Sequence, residues 1–196
     1  MEQTPIAHSG VTLVETVLGT IGLAWSSKGL TRLQLPEPSA RATLARLTRE
    51  HGDAIEPVDR DATNGLPAFV SAVAALLVRY TRGEKVDFSD VPVDLAKADP
   101  FRAAIYNAAR GLGYGETTTY GGLAEAAGHP GMARETGVAL GRNPVAIIVP
   151  CHRIVAAGGK LGGFSAPGGA LTKQKLLAME SAKPPPARSG QASFAF

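Results

Sequence analysis

The sequence predicts an α+β protein in two parts: a small α/β unit over residues 9–95 and a mostly helical unit over residues 99–181 that contains a helix-turn-helix and the only cysteine. Two patterns predict it. Alternating apolar and small or polar residues over 11–35 read as strands, followed by helical spacing over 40–51 and 66–81. From Asp99-Pro100 to residue 180 helical spacing predominates, interrupted by an apolar run over 145–149 and a glycine-rich stretch over 158–169. A length of 196 residues, with 44% hydrophobic and 19% charged, suits a soluble globule with a proper core in one or two domains.

Residues 11–35 read as a hairpin about Ser26-Ser27-Lys28-Gly29, with Trp25 and Leu30 on its flanks. Leu44 and Leu47 mark a helix over 40–51 that Gly52 stops, and a charged, proline-containing loop follows. A second helix carries Phe69, Val73, Leu76, Leu77 and Tyr80 and ends before Gly83. After a linker over 91–98, aspartate at the N-cap and proline at the first helical position open a third helix. Its stripe is Phe101, Ile105, Ala109 and Leu112. Gly111-Leu112-Gly113-Tyr114-Gly115 resembles a nucleotide or S-adenosylmethionine loop, but such a loop follows a strand. This one follows a helix, so it is read as a cap and turn, and no cofactor is expected.

Two short helices are expected over 120–127 and 132–140, about the turn Gly128-His129-Pro130-Gly131. That spacing suggests a helix-turn-helix whose second helix faces DNA and carries Arg134 near its start. The continuous β-branched run from Val145 to Val149 reads as a short buried strand, and Pro150 ends it. Cys151 then falls on the turn beyond, beside His152 and Arg153. A packing cysteine has no need of such neighbours, whereas a nucleophilic one needs a base or positive charge to lower its thiol pKa. Adjacent side chains on extended backbone point apart, so a turn or one bridging water is expected between the thiol and His152. On these residues alone, packing stays open beside chemistry. Three glycine pairs follow, with Phe164 and Ser165 between the last two, and lack a phosphate-loop lysine. A last helix carries Leu171, Leu176 and Leu177 to Glu180, and residues 182–196 read as a disordered tail.

One cysteine excludes an internal disulfide and a multi-cysteine zinc site, and no metal is expected. The start lacks a basic secretory signal, and the longest apolar run is too short for a bilayer, so a cytoplasmic protein without a membrane partner is expected. Net charge is +3, unevenly placed. From Thr117 onward eight Lys/Arg face three Asp/Glu, giving +5, while the rest carries −2. The basic half contains the cysteine, as a polyanion-binding half requires, although a solvated basic face fits as well.

Asn143-Pro144-Val145, Pro150-Cys151-His152-Arg153-Ile154, the glycine loop and Leu176-Leu177-Ala178-Met179-Glu180 together closely resemble the O6-methylguanine-DNA methyltransferases. The match runs over about 100–180, with weaker similarity over 16–35. The resemblance implies an N-terminal domain of ribonuclease-H-like topology and a C-terminal helix-turn-helix domain that enters the minor groove of lesion-containing double-stranded DNA. It implies a monomer that flips O6-methylguanine, and in some cases O4-methylthymine, and accepts the alkyl group once. By position, Cys151 resembles the acceptor, His152 the base acting through a water, and Glu180 the carboxylate that orients it. Asn143 resembles the hinge residue, and Tyr120 the tyrosine that assists the leaving base. Arg134 resembles the arginine that fills the vacated stack, with Tyr120, Arg142 and Arg153 also beside DNA. Ile154, Phe164 and Ser165 would line the base pocket.

Three departures stand out: Phe164 replaces a common tyrosine, Ala166 and Pro167 are inserted before Gly168-Gly169, and Glu135-Thr136 replaces a small apolar pair. Two rivals accompany this reading. A Cys-His-Glu hydrolase would use the same residue types with turnover, and a non-repairing helix-turn-helix protein would only mark the lesion.

Overall fold

The computed structural model describes residues 9–49 and 66–181. Residues 10–34 make three antiparallel strands, β1 (Gly10–Thr16), β2 (Gly19–Ser26) and β3 (Gly29–Gln34), in the order β1-β2-β3. The expected hairpin is the β2–β3 pair, with Trp25 opposite Leu30. The extra strand escaped the sequence because its turn, Val17-Leu18, carries no turn chemistry except Gly19 at φ 113.

Helices α1 (Ala40–Arg49) and α2 (Ala68–Thr81) cover this sheet. The stop expected at Gly52 and the loop after it lie outside the described residues, as does the expected tail. In α2 the buried positions Val70, Val73, Leu77 and Tyr80 recur every three or four residues, which lays one stripe on the core. Helix α3 (Pro100–Arg110) starts as expected, with Asp99 accepting the Arg102 N–H at 2.8 Å. A two-residue strand β4 (Thr118–Thr119) leads directly into α4 (Tyr120–Ala126), capped by the Thr119 hydroxyl. Gly128 and Gly131, both at positive φ, turn the chain into α5 (Ala133–Gly141). Tyr106 ties α3 to α5 through a 2.8 Å bond to the Ala139 carbonyl. Strand β5 (Ile154–Val155) pairs in parallel with β4, and α6 (Gly169–Met179) closes the described chain. The inserted Ala166-Pro167 completes a turn with Gly168 (φ 79, ψ −4) and Gly169, whose N–H bonds the Ala166 carbonyl at 2.9 Å. Proline followed by a left-handed glycine is type II turn chemistry, and it launches α6.

Residues 145–149 correct the strand expectation. They form a compact loop with only isolated bridges, from Val145 to Leu33 and from Ala146 to Val149. The loop joins two cores. Val145, Ala146, Ile147 and Ile148 pack into the larger one with Leu23, Trp25, Leu33, Leu77 and Leu176. Val149 enters the second with Ile105, Tyr106, Leu123, Leu140 and Ile154. The outer edge of β3 is thereby used and not left open: Leu33 N–H donates to Pro144 O and Leu30 N–H to Pro92 O, each at 2.9 Å. A continuous apolar run thus arose from burial on both sides of a loop, which periodicity cannot tell from a buried strand.

Candidate functional site

Asn143 organises the loop. Its Oδ1 accepts the Val145 N–H at 3.0 Å, and its Nδ2 donates to Val149 O at 2.8 Å and to Cys151 Sγ at 3.2 Å. Inside that clamp Ile148 N–H bonds Ala146 O at 2.8 Å across Ile147, whose φ is 69°. A β-branched residue in this γ-turn geometry costs on the order of 1–3 kcal/mol. Burial of Ile147, 1% exposed, contributes a similar amount, about 1.5–3 kcal/mol, and holds the turn. At Pro150 (φ −82, ψ 63) a second tight turn brings Cys151 N–H to Val149 O at 2.8 Å. Cys151 therefore opens a single turn of 3-10 helix, Cys151–Arg153, at the edge of the core.

That turn separates the three side chains. The thiol is half-buried, whereas His152 and Arg153 point inward. His152 Nε2 lies 2.9 Å from Glu180 Oε1, both side chains having no exposure. Arg153 forks onto the same carboxylate, Nε to Oε2 and Nη2 to Oε1, each at 2.9 Å, and its Nη1 donates to Leu112 O. Gly115 N–H reaches Oε2 at 3.2 Å, and Tyr80 Oη donates to Oε1 at 2.6 Å. The expectation that Arg153 faces DNA is corrected here: a buried guanidinium bound to a buried carboxylate cannot reach a phosphate. The His152–Glu180 pairing is present as a contact, and Glu180, at the helix end, is buried.

The electrostatics follow from burial and these partners. Burial works to raise the Glu180 carboxyl, but the hydrogen bonds from His152 and Arg153 and the charge of the Arg153 guanidinium hold it well below the usual range. Burial pushes His152 down against the opposing pull of Glu180, so its imidazole is neutral. A carboxylate is acceptor-only, so the proton of neutral His152 sits on Nε2 and the lone pair on Nδ1. That Nδ1 is buried and has no protein partner. Burial raises the Cys151 thiol, opposed by the Asn143 hydrogen bond and by the charge of Lys173.

Lys173 was not singled out by the sequence. It is fully buried in α6, donates to Ile154 O and Gly163 O, and lies 5.7 Å over the Tyr120 ring. A signal existed: Lys173, Leu176 and Glu180 share one face at spacings of three and four, so polar residues stand in the buried stripe. Tyr120 is half-buried with its hydroxyl 3.4 Å from Gly163 O, and its phenol is raised by burial and by Cys151. Arg134 and Arg142 are exposed on and just after α5. Ser165 is exposed and donates to Gly141 O at 3.0 Å, while Phe164 packs on the larger core. Ile154 is buried, its N–H bonded to Cys151 O and its carbonyl to Lys173.

A cavity of about 440 Å³ lies beside the loop, lined by Phe88, Arg110, Tyr114, Ile147 and Pro150 among others. None of Tyr120, Ile154, Phe164 and Ser165 lines it. Gly111 caps α3, and the glycine run precedes β4 with no helix opening from it. Among the described residues no three His, Cys, Asp or Glu gather as a metal site, and no helix is long and apolar enough to cross a membrane.

A family model described as the 6-O-methylguanine DNA methyltransferase DNA-binding domain matches residues 100–182. The methylated-DNA–protein-cysteine methyltransferase of Mycolicibacterium paratuberculosis is 37% identical over 167 residues, covering 85% of this chain and 89% of that protein. The Mycobacterium tuberculosis protein of the same name is 36% identical over 172 residues, covering 88% and 92%. The crystal structure of the Mycobacterium tuberculosis O6-methylguanine methyltransferase matches with a TM-score of 0.68 and 35% identity, over 91% of this chain and 96% of that one. The Mycobacterium tuberculosis OGT crystallised in complex with DNA matches with a TM-score of 0.68 and 34% identity, over 90% and 95%.

Proposed function

Because the chain belongs to the 6-O-methylguanine DNA methyltransferase family and is a DNA-binding methylated-DNA–protein-cysteine methyltransferase that acts in DNA repair, we propose that Cys151 is its methyl acceptor. The hydrolase and lesion-marker readings fall with that premise. One observation carries the assignment: a reaction that methylates a protein cysteine has a single candidate in a chain with one cysteine. The half-buried thiol, fixed by Asn143 with a neutral histidine behind it, supports it.

The thiol proton passes through one water to the Nδ1 lone pair of His152, and Glu180 holds the imidazole in the tautomer that leaves Nδ1 free. Sulfur then attacks the methyl carbon in line. The S–C bond forms as the C–O6 bond breaks, and the electron pair goes to guanine oxygen. Tyr120, whose phenol keeps its proton, donates to the developing anion. A duplex base must leave the stack first, and the exposed Arg134 fills the vacated place while Arg142 meets phosphate from the minor-groove side. All of these groups come from one chain, so a monomer suffices, and a free thiol suits the reducing cytoplasm.

The product is a thioether, without a carbonyl for water to attack or a leaving group better than a thiolate, so each molecule acts once. Titrating excess methylated duplex against protein tests this: repair stops at one methyl per chain, carried on Cys151, and Cys151→Ser takes up none. Sustained turnover, or a methyl group on another residue, refutes the assignment.

A further inference from the structure

The His152–Glu180 pair has a partner from the other half of the chain. Tyr80, in the last turn of α2, is 72 residues before His152 and 100 before Glu180. Its hydroxyl donates to Glu180 Oε1 at 2.6 Å and lies 3.4 Å from His152 Nε2. Oε1 also takes His152 Nε2–H and Arg153 Nη2–H, both at 2.9 Å. Three donors therefore share one oxygen, and what Tyr80 draws from its charge is not available to His152.

A buried tyrosine hydroxyl needs a hydrogen-bond partner. Buried Tyr106 finds it on the Ala139 carbonyl and half-buried Tyr114 on that of Met179. Tyr80 instead uses the carboxylate behind the site histidine, while its ring packs edge-on to Phe88 and Tyr114 at 5.5 and 6.1 Å. Ring and hydroxyl thus have separable tasks. We propose that Tyr80 is a positioning residue for methyl transfer, whose hydroxyl draws charge from Glu180 and so keeps His152 a neutral base. The proposal rests on the reading that His152 serves Cys151.

The charged and titratable groups facing His152 are Glu180, Arg153, Lys173, Cys151 and Tyr80, with Tyr114 beyond Tyr80. Of these only Glu180 favours the imidazolium strongly. A carboxylate bonded to histidine alone in such a dry place would lift the imidazole pKa and occupy the Nδ1 lone pair with a proton. The Arg153 fork, Gly115 N–H and Tyr80 hydroxyl disperse that charge. Burial, with Glu180 adding to it, pushes the Tyr80 phenol far above its ordinary range, so it remains a donor throughout the working pH range.

Tyr80→Phe removes the donor and keeps the ring. Two readouts on the full-length protein are needed: the titration of the His152 ring by NMR, and single-turnover methyl transfer from a methylated duplex across pH. Both the His152 midpoint and the acid limb of the rate profile are expected to rise by about one pH unit, tenfold in the protonation equilibrium, with duplex affinity unchanged. Placing 3,5-difluorotyrosine at position 80, a stronger donor of nearly the same shape, is expected to move both the opposite way and covers the case in which Tyr80→Phe folds poorly. Midpoints unmoved in both variants, with only a lower rate or stability, overturn the proposal and make Tyr80 a packing residue. A parent acid limb that does not follow the His152 titration instead refutes the role of His152, whereas the NMR comparison still decides that of Tyr80.

Discussion

Glu180→Gln is expected to lower both stability and rate, and its size follows from what the carboxylate holds. The side chain is fully buried and receives Tyr80, His152, two nitrogens of Arg153 and the Gly115 amide. Glutamine offers one acceptor oxygen and turns an NH2 group toward donors on the other side. Arg153, with a side chain 6% exposed, then keeps its charge without a counterion. Removing one partner of such a pair costs about 3–5 kcal/mol, a large part of the ~5–15 kcal/mol that holds a domain together. At roughly 2–4 °C per kcal/mol for a chain of this size, the unfolding midpoint should fall by roughly 6–20 °C. Thermal unfolding followed by circular dichroism at pH 7 measures it. The pH dependence has a fixed sign: a depressed folded-state pKa gives stability that is present above the unfolded value, about 4.3, and is lost as pH falls toward the folded one. The gap between parent and variant should be full at pH 7 and shrink below about pH 4.3. Methyl transfer should slow while duplex affinity is retained. A midpoint within about 2 °C of the parent at pH 7 would refute this role of Glu180, because the cost of leaving a buried guanidinium unpaired would be missing.

Arg134→Ala should slow repair of a duplex lesion by at least about tenfold yet barely change reaction with free O6-alkylguanine, since filling the stack recovers part of an unstacking cost of a few kcal/mol; equal losses on both substrates would remove that role. Lys173→Met keeps the stem and deletes the charge that lowers the Cys151 pKa, so the thiol midpoint read at 240 nm should rise and iodoacetamide should label it several-fold more slowly at neutral pH; an unmoved midpoint would count against that electrostatic link.

Local chemistry is readable wherever one residue type fixes a backbone choice. Asp99-Pro100 opens α3 and Gly128 with Gly131 turns α4 into α5, because capping and positive φ are properties of those residues themselves. What the sequence hides depends on distant partners. The Val145 to Val149 run is apolar because two cores meet at it, and only the Asn143 clamp reveals that Ile147 turns the chain back. Arg153 carries the same charge in a phosphate contact and in a buried fork, and the choice is made by Glu180, 27 residues on. Tyr80 follows the apolar stripe of α2 and reads as packing, which its ring does. Its hydroxyl meets a carboxylate 100 residues away, a pairing that no local pattern encodes.

Lys173 is buried beside Cys151 without an anion of its own while the thiol keeps its proton. Arg153 and Glu180 neutralise each other and His152 is neutral, but Lys173 is bonded only to the carbonyls of Ile154 and Gly163. No carboxylate among the described residues pairs with it. A buried ammonium without a counterion is unfavourable, which is why burial depresses Lys173 and why Cys151 opposes that shift. Moving the thiol proton to His152 leaves total charge unchanged, yet it sets a thiolate against Lys173 and an imidazolium against Glu180. The reactive arrangement is therefore the one in which each buried cation has an anion near it, and the cost of ionising a half-buried thiol is partly offset by Lys173. A thioether cannot carry that charge. After transfer the ammonium again has no anion beside it and the sulfur has no proton to give up, so neither the bond chemistry nor the electrostatics of the site supports a second event.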